Sequence, residues 1–323
     1  NEIPDPRDQD VPNYLAPDCL LGLAPARTLG DKKQSNSRTL AGRLEIVRDI
    51  LMHRIEQLKP TIVASGGTFT ITTQTRPEPF ALDAGQSDLH IRIRPAPEGR
   101  LPSSAGLHDL RATLPLTSDA VRASGAQTVS ISGGMHLSVA LAIGAALPET
   151  KIGSVTVTDL RGEAWMSSSV DDPTIHAITT EAVAGEFNHK PDEPAKVAIF
   201  VTMTENPDGS GFRRLINDRP GAFAYAARIS LSSIAPIDAR EAARLSAQIA
   251  NEIKRLSAQY GRAEVHLAYH GPYTMAVLIG RYLNTLRTVI YEWDDRAGVG
   301  PTYTAVLALE LGVAGGPITQ VFS

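Results

Sequence analysis

Val129-Ser-Ile-Ser-Gly-Gly-Met-His-Leu-Ser-Val-Ala-Leu-Ala-Ile-Gly-Ala-Ala-Leu147 can be written above Val265-His-Leu-Ala-Tyr-His-Gly-Pro-Tyr-Thr-Met-Ala-Val-Leu-Ile-Gly-Arg-Tyr-Leu283 without a gap. At a constant offset of 136, Val129/Val265, Ala140/Ala276, Ile143/Ile279, Gly144/Gly280 and Leu147/Leu283 are identical. Both read as a strand, a turn and a small-residue helix: Thr128–Ser132 then Leu137–Leu147, and Glu264–Ala268 then Thr274–Leu286. An apolar strand follows each, Ser154–Thr158 and Thr288–Trp293, with Val155-Thr-Val157 set against Val289-Ile-Tyr291. These strands end near an acid, Asp159 and Glu292. Strand, helix, strand at these lengths is a parallel crossover unit. Any two such units share apolar strands and small helix residues, so coincidence is the alternative to duplication. An interior helix glycine costs ~1 kcal/mol unless packing needs it, which places Gly144 and Gly280 where the helix meets the sheet. A period near 136 is too long for a solenoid, whose units run ~20–50 residues. It suggests two fused α/β halves facing each other across a pseudo-two-fold.

Outward from this pair, Val197–Val201 and Ala226–Leu231 read as strands. A helix from Asp238 to about Tyr260 opens on a capping-box pattern, Asp238 with Glu241, and Ile237 as staple. Leu40, Leu44, Val47, Leu51, Ile55 and Leu58 form one apolar helical stripe, which Pro60 is expected to stop. Thr68–Thr75 and Leu89–Arg94 read as β-type stretches, and Pro95 to Gly106 as a loop. Five prolines among acids mark residues 1–36 as an extended arm or linker. The expected organisation is an arm over 1–36, an α+β region over 37–124 and a two-half unit over 125–323. That unit is divided into 125–205 and 206–323.

The chain has 323 residues, with 31 basic against 35 acidic side chains and a formal charge of −4. That length gives about two domains, or one large one with a real core. The balanced charge argues against a broad basic face for nucleic acid. One cysteine, Cys19, excludes an internal disulfide framework and a thiolate zinc site. No stretch reaches the ~18 uncharged apolar residues of a membrane span, and no signal peptide is visible. A cytoplasmic location without direct membrane contact is the expectation. The chain starts at Asn1 without an initiator methionine, as a fragment would.

In open parallel sheets, ligands lie beyond the carboxyl ends of the strands. The turns there are Ser132-Gly133-Gly134-Met135-His136 and Tyr269-His270-Gly271-Pro272-Tyr273. Each leads into a helix N-terminus, where free N–H groups and the dipole favour an anion such as phosphate. Two such sites facing each other suit a ligand that repeats phosphates and bases. Tyr269, His270 and Tyr273 offer rings for stacking. Asp159, Arg161, Glu292 and Trp293 could read base edges or ribose hydroxyls. Trp165, in a Ser-rich loop, is a candidate for stacking or an oligomer contact, and Arg213-Arg214 for neutralising a polyanion. The bland readings are concrete too: His266 as a structural strand histidine, the tyrosines as packing, and Lys32-Lys33 as solvated linker.

Catalytic signatures are thin. There is no Gly-x-Ser-x-Gly elbow, no Walker loop and no Gly-x-Gly-x-x-Gly fingerprint. No His-Glu-x-x-His spacing points to a metal, and only the pairs Asp171-Asp172 and Asp294-Asp295 could hold a divalent ion. No catalytic residue, metal or cofactor is assigned.

The segment His266–Arg281, then Val289-Ile-Tyr-Glu-Trp-Asp294 and Tyr303, resembles the C-terminal half of the SAVED family of sensor domains in bacterial antiphage effectors. The resemblance covers roughly 125–323 and implies two fused CARF-like, Rossmann-like halves. It implies binding of a cyclic oligonucleotide, with a cyclic trinucleotide such as cyclic tri-adenylate favoured. The ligand would come from a cognate synthase, a CD-NTase in CBASS or a Cas polymerase in type III CRISPR. Binding would drive self-association and switch on a fused or associated effector. On the reading of the turns and strand ends above, the expected ligand contacts are Ser132, Gly133, Gly134, His136, Arg161, Trp165, Arg213, Tyr269, His270, Gly271, Pro272, Tyr273, Glu292 and Trp293. The first half departs from the second, with Ser-Gly-Gly where the second has Tyr-His-Gly-Pro. Residues 1–124 carry no nuclease, TIR or protease signature. The reading from a different class is an α/β enzyme processing a nucleotide or phosphodiester, including the bound cyclic ligand, with His136 and His270 as acid and base. A third is a scaffold that binds another protein through residues 1–124.

Overall fold

The structure, a computed structural model, describes residues 19–21, 40–76, 87–93, 101–168, 175–187, 193–204, 209–233, 235–283, 285–296, 300–310, 312 and 315–322. The expected arm lies outside these except for strand β1 (Cys19–Leu21), as do Lys32-Lys33 and Asp171-Asp172.

The described residues form two sheets. The first contains β2 (Thr68–Gln74), β3 (Leu89–Ile93), β4 (Thr128–Gly134), β5 (Ser154–Thr158) and β6 (Ala164–Met166), in the order β1-β3-β2-β4-β5-β6. The second contains β7 (Ile178–Ala182), β8 (Lys196–Thr202), β9 (Tyr225–Leu231), β10 (Glu264–His270), β11 (Arg287–Arg296), β12 (Gly300–Glu310) and β13 (Ile318–Val321). Its order is β13-β12-β11-β10-β8-β9-β7. In each sheet four parallel strands form the centre, β3-β2-β4-β5 and β9-β8-β10-β11, and antiparallel strands close the edges. The two centres have the same chain order, so the repeat extends back beyond the aligned segment to β2 and β8. The divisions expected at 124/125 and 205/206 each fall inside a sheet, because β2 pairs with β4 and β8 with β9. The chain passes from one sheet to the other between Met166 and Ile178.

Among the described residues six α-helices accompany the strands: α1 (Leu40–Ala64), α2 (Ser104–Ser124), α3 (Leu137–Ala146), α4 (Ser210–Asn217), α5 (Ala242–Gln259) and α6 (Tyr273–Gly280). Helix α1 runs through Pro60 and ends at Gly66 and Gly67, both at positive φ. A proline removes one helical hydrogen bond, and buried Ile55 and Ile62 hold the helix in place on either side of it. Helix α2 lies where a loop and unassigned residues were expected. Ser103 caps it by accepting from the Gly106 N–H at 3.1 Å, and Gly125 ends it at φ 72°. Asp238 caps the turn before α5 as expected, accepting from the Arg240 N–H. Glu241 does not complete a capping box. Its buried carboxylate accepts instead from the Ile175 and His176 N–H groups and the His176 ring, with Arg244 beside it.

Gly144 and Gly280 are where the two repeats meet each other, not where a helix meets its own sheet. A Cβ on Gly144 would overlap the Val277 carbonyl and lie 3.1 Å from the Gly280 Cα, and one on Gly280 would overlap the Leu141 carbonyl. Helices α3 and α6 therefore cross backbone to backbone. Their alanine- and leucine-rich flanks are buried on every side, and one core runs through both halves. A smaller cluster of Phe200, Phe212, Phe223, Tyr291 and Tyr303 covers the other face of the second sheet under α4. Among the described residues no helix is long and apolar enough to cross a membrane.

Candidate functional site

Two contacts across the pseudo-two-fold tie the halves together at one end of the strands. Glu292, on β11 of the second half, accepts a hydrogen bond at 2.6 Å from the Ser138 N–H in the first turn of α3, which belongs to the first half. Reciprocally, the Tyr273 hydroxyl at the start of α6 donates to the Thr158 carbonyl at the end of β5. Helices α3 and α6 begin just beyond the carboxyl ends of β4 and β10. The contacts are possible only if β4, β5, β10 and the Glu292 stretch of β11 finish at one common end. The ends of parallel β2 and β8 lie there too, since Gln74 pairs with Gly134 and Thr202 with His270.

Backbone closeness explains the glycines of the first turn. Gly133, at φ 120°, lies where any Cβ would overlap the Thr73 carbonyl, and the Gly134 carbonyl accepts from the Thr75 N–H at 2.9 Å. Ser132 is half-buried on β4 beside Thr72. His136 precedes α3 fully buried; Thr75 Oγ1 accepts its backbone N–H at 2.7 Å and is hydrogen-bonded to its Nδ1 at 2.8 Å. In the second turn, Tyr269 is buried and donates its hydroxyl to the Pro272 carbonyl at 2.9 Å. Burial pushes that hydroxyl far above its ordinary pKa. Gly271 is needed because a side chain there would meet the Tyr269 hydroxyl and Met203. Pro272 precedes α6 and is half-buried, whereas His270 is exposed at the strand end, where desolvation still lowers its ring pKa. Tyr273 is half-buried, its hydroxyl pKa raised by burial and then by Asp159.

The ladder registers match Asp159 with Glu292. Val129 faces Val155 as Val265 faces Thr288, one residue off the alignment written from sequence. The two acids behave differently. Glu292 is buried, and desolvation raises its carboxyl above the ordinary range against the pull of the Ser138 and Leu137 N–H groups and of Arg76. Asp159 keeps one oxygen for the Arg161 and Glu163 N–H groups of its own turn, at 2.8 and 2.9 Å. Arg161 itself is exposed.

Three expected contacts lie elsewhere. Trp165 sits in strand β6, not in a loop, and is 5% exposed within the main core. Trp293 packs edge-on against Tyr303 and touches the Gly211 position of α4, on the outer face of the second sheet. Arg213 lies on that face too, bordering a hollow of about 240 Å³ with Phe200, Phe212 and Arg228. Sequence reasoning missed the ends of the first strand in each half. Arg76 donates to the Met135 carbonyl at 3.3 Å and is exposed beside the first turn. Buried Gln74 Oε1 and Thr202 Oγ1, at equivalent strand ends, have no hydrogen-bond partner, nor does buried Thr274 Oγ1 in α6. Carrying the repeat back to β2 and β8 would have found the first two.

A histidine pair for acid–base work is not assembled here: His136 is sealed in the core and held by Thr75. His266 is structural, its Nδ1 on the Tyr291 hydroxyl and Nε2 on Glu264, as expected. Among the described residues no three His, Cys, Asp or Glu side chains gather to hold a metal ion. Asp294 is buried, with the Thr304 hydroxyl donating to it.

This architecture is known from solved structures. The Acinetobacter baumannii Cap4 SAVED/CARF-domain containing receptor with the cyclic trinucleotide 2'3'3'-cAAA matches with a TM-score of 0.56 at 17% identity. The same receptor with 3'3'3'-cAAA gives 0.57 at 15%, and without a named ligand 0.52 at 18%. The first two matches cover 80% of this chain and 55% of the receptor, the third 81% and 54%, so this chain spans about half the receptor's length. No curated protein matches by sequence. The model of the SAVED domain, the SMODS-associated and fused to various effectors sensor domain, matches residues 110–309, and the chain belongs to that family.

Proposed function

We propose that the common strand end is a receptor site for a cyclic oligonucleotide, a cyclic trinucleotide such as cyclic tri-adenylate above all. The observation that carries this is the double interlock, Glu292 on α3 and Tyr273 on β5, which sets two post-strand turns side by side at one end. A ligand with repeated phosphates and bases fits two related turns better than one. The family and the fold support the reading, and the similar Acinetobacter baumannii receptor is known with two cyclic trinucleotides. Exposed Arg76, Arg161 and His270 are the side chains offered to it, with Gln74 and Thr202 behind them.

Affinity here needs no chemistry on the ligand, and no resident cofactor is required. A ligand that prefers one arrangement of the two halves shifts the population by its differential affinity. In the full proposal a cognate synthase supplies the ligand, and the bound form self-associates and activates a fused or associated effector. A thermal-shift panel of cyclic di-, tri- and tetranucleotides with their linear counterparts tests the site. Ligand at 100 times its Kd adds about 2.7 kcal/mol of stability, so one cyclic species should raise Tm while its linear form does not. A folded protein with no shift for any cyclic species overturns the proposal.

A further inference from the structure

We propose that the hollow on the outer face of the second sheet is a binding site for a small monocarboxylate with an apolar body, held by Arg228 and Arg213. It lies apart from the common strand end and does not depend on what that end receives.

Strand register builds the hollow. Phe200 on β8 faces Arg228 on β9, and Arg228 faces Glu181 on β7, so these three side chains form one row across the sheet. The row lies on the face covered by α4, where Phe200 belongs to the aromatic cluster. Phe212 of α4 stacks on Phe200 with ring centroids 5.3 Å apart. The next residue, Arg213, brings an exposed side chain to the rim. With half-buried Val183 they enclose about 240 Å³.

Arg228 is the feature that calls for a counter-ion. It is half-buried, and its Nε is shielded from solvent without a hydrogen-bond partner. Other buried polar atoms lack a partner, but among the described residues this is the only one on a group with a permanent charge. A buried charged donor costs more to leave unpaired than a neutral one. The buried guanidinium of Arg281 shows the satisfied condition, donating to three carbonyls. Glu181, opposite Arg228 in the ladder, forms no ion pair with either arginine.

Two arginines against one glutamate leave a single positive charge. A guanidinium fork matches the two coplanar oxygens of a carboxylate, whereas a phosphate dianion exceeds that charge and meets Glu181. Val183, Phe200 and Phe212 make the remaining wall apolar, which suits an apolar body and not a second polar group.

NMR of the labelled full chain tests this, with benzoate, its neutral isostere benzamide and inorganic phosphate as probes. Benzoate should move the Arg228 Nε–H signal and the Phe212 and Arg213 amides with a Kd of about 1 mM, the scale for a ligand of about nine non-hydrogen atoms. Benzamide should bind about tenfold more weakly, or not at all. Arg228→Met should abolish the benzoate response while Tm holds or rises, because it removes an unpaired charge. Glu181→Gln should tighten benzoate binding. No benzoate response in the folded wild type overturns the proposal, as does benzamide or phosphate binding as tightly as benzoate. So does an equal fall in Tm for Arg228→Met and Glu181→Gln, which would make Glu181 the counter-ion.

Discussion

At Arg281 the guanidinium of the second half donates to three carbonyls of the first: Leu147 at 2.9 Å, Ile152 at 2.8 Å and Gly153 at 2.7 Å. It is 1% exposed, and burial pulls its pKa down from the ordinary arginine range. The charge is therefore maintained against a desolvation cost by those three acceptors. Replacing it with methionine keeps much of the volume and strands the carbonyls, each worth ~1–3 kcal/mol when buried and unpaired. Arg281→Met should lower the unfolding free energy by about 3 kcal/mol in urea titration; a change below ~1 kcal/mol would show that the carbonyls find other donors. Arg161 makes the opposite case. It is exposed and its N–H, not its guanidinium, is bound by Asp159. Arg161→Ala should leave Tm unchanged and weaken cyclic oligonucleotide binding roughly tenfold, the scale of one charge-assisted contact. Unaltered affinity in calorimetric titration would remove Arg161 from the site.

The crossing of α3 and α6 is the element on which the architecture turns. Neither helix offers its partner a side chain at the crossing point, so the backbones approach until glycine alone fits. Gly144→Ala inserts a methyl group where the Val277 carbonyl stands, and the helices must part. Overpacking a rigid core costs ~1–3 kcal/mol, and here the displaced atoms are backbone, so the upper end is expected. The denaturation midpoint should drop accordingly, and a midpoint within error of wild type would mean that the helices slide freely. Both glycines were legible in sequence, because a glycine conserved between two copies of one helix asks for a packing reason. What they pack against was not legible, since periodicity along a chain says nothing about which helix lies across it. The strands flanking the turns were read because their apolar runs end at glycine. Helix α2 escaped because Pro115 and the Pro-rich segment before Ser103 speak against a helix locally, while burial of Leu107, Leu110, Leu114 and Val121 overrides them. Trp165 misled for a related reason: the serines after it suggest a loop, but the tryptophan alone in its three-residue strand faces the core. At the candidate site, the turn residues are legible because the repeat quotes them, whereas Arg76 and Gln74 come beside them only through the parallel pairing of β2 with β4.

Across the whole molecule the two halves share one core and are tied by Glu292, Tyr273 and Arg281, so they should unfold together. A single calorimetric transition with equal van't Hoff and calorimetric enthalpies is the expected result. Glu292 then makes the stability of the assembly depend on pH in a direction that can be worked out. Its carboxyl is raised above the ordinary glutamate value of 4.5 chiefly by burial, so the folded state holds the proton more tightly than the unfolded chain. The stability this gives is fully present below the unfolded pKa and is lost as pH rises through the folded one. Glu241 acts in reverse. Its burial is outweighed by hydrogen bonds from His176 and Ile175, its carboxyl is lowered, and its stability is lost as pH falls through the folded value. Wild type alone mixes these two slopes. Subtracting the pH profile of Glu292→Gln isolates the first, since the amide keeps an acceptor for the Ser138 N–H and cannot titrate. From just above pH 4.5 upward the wild type should lose stability relative to this variant, and the loss should level off once Glu292 is fully ionised. Parallel profiles would mean that the carboxyl ionises as readily in the fold as outside it. The N–H groups of Ser138 and Leu137 together with Arg76 would then offset the cost of burying the charge.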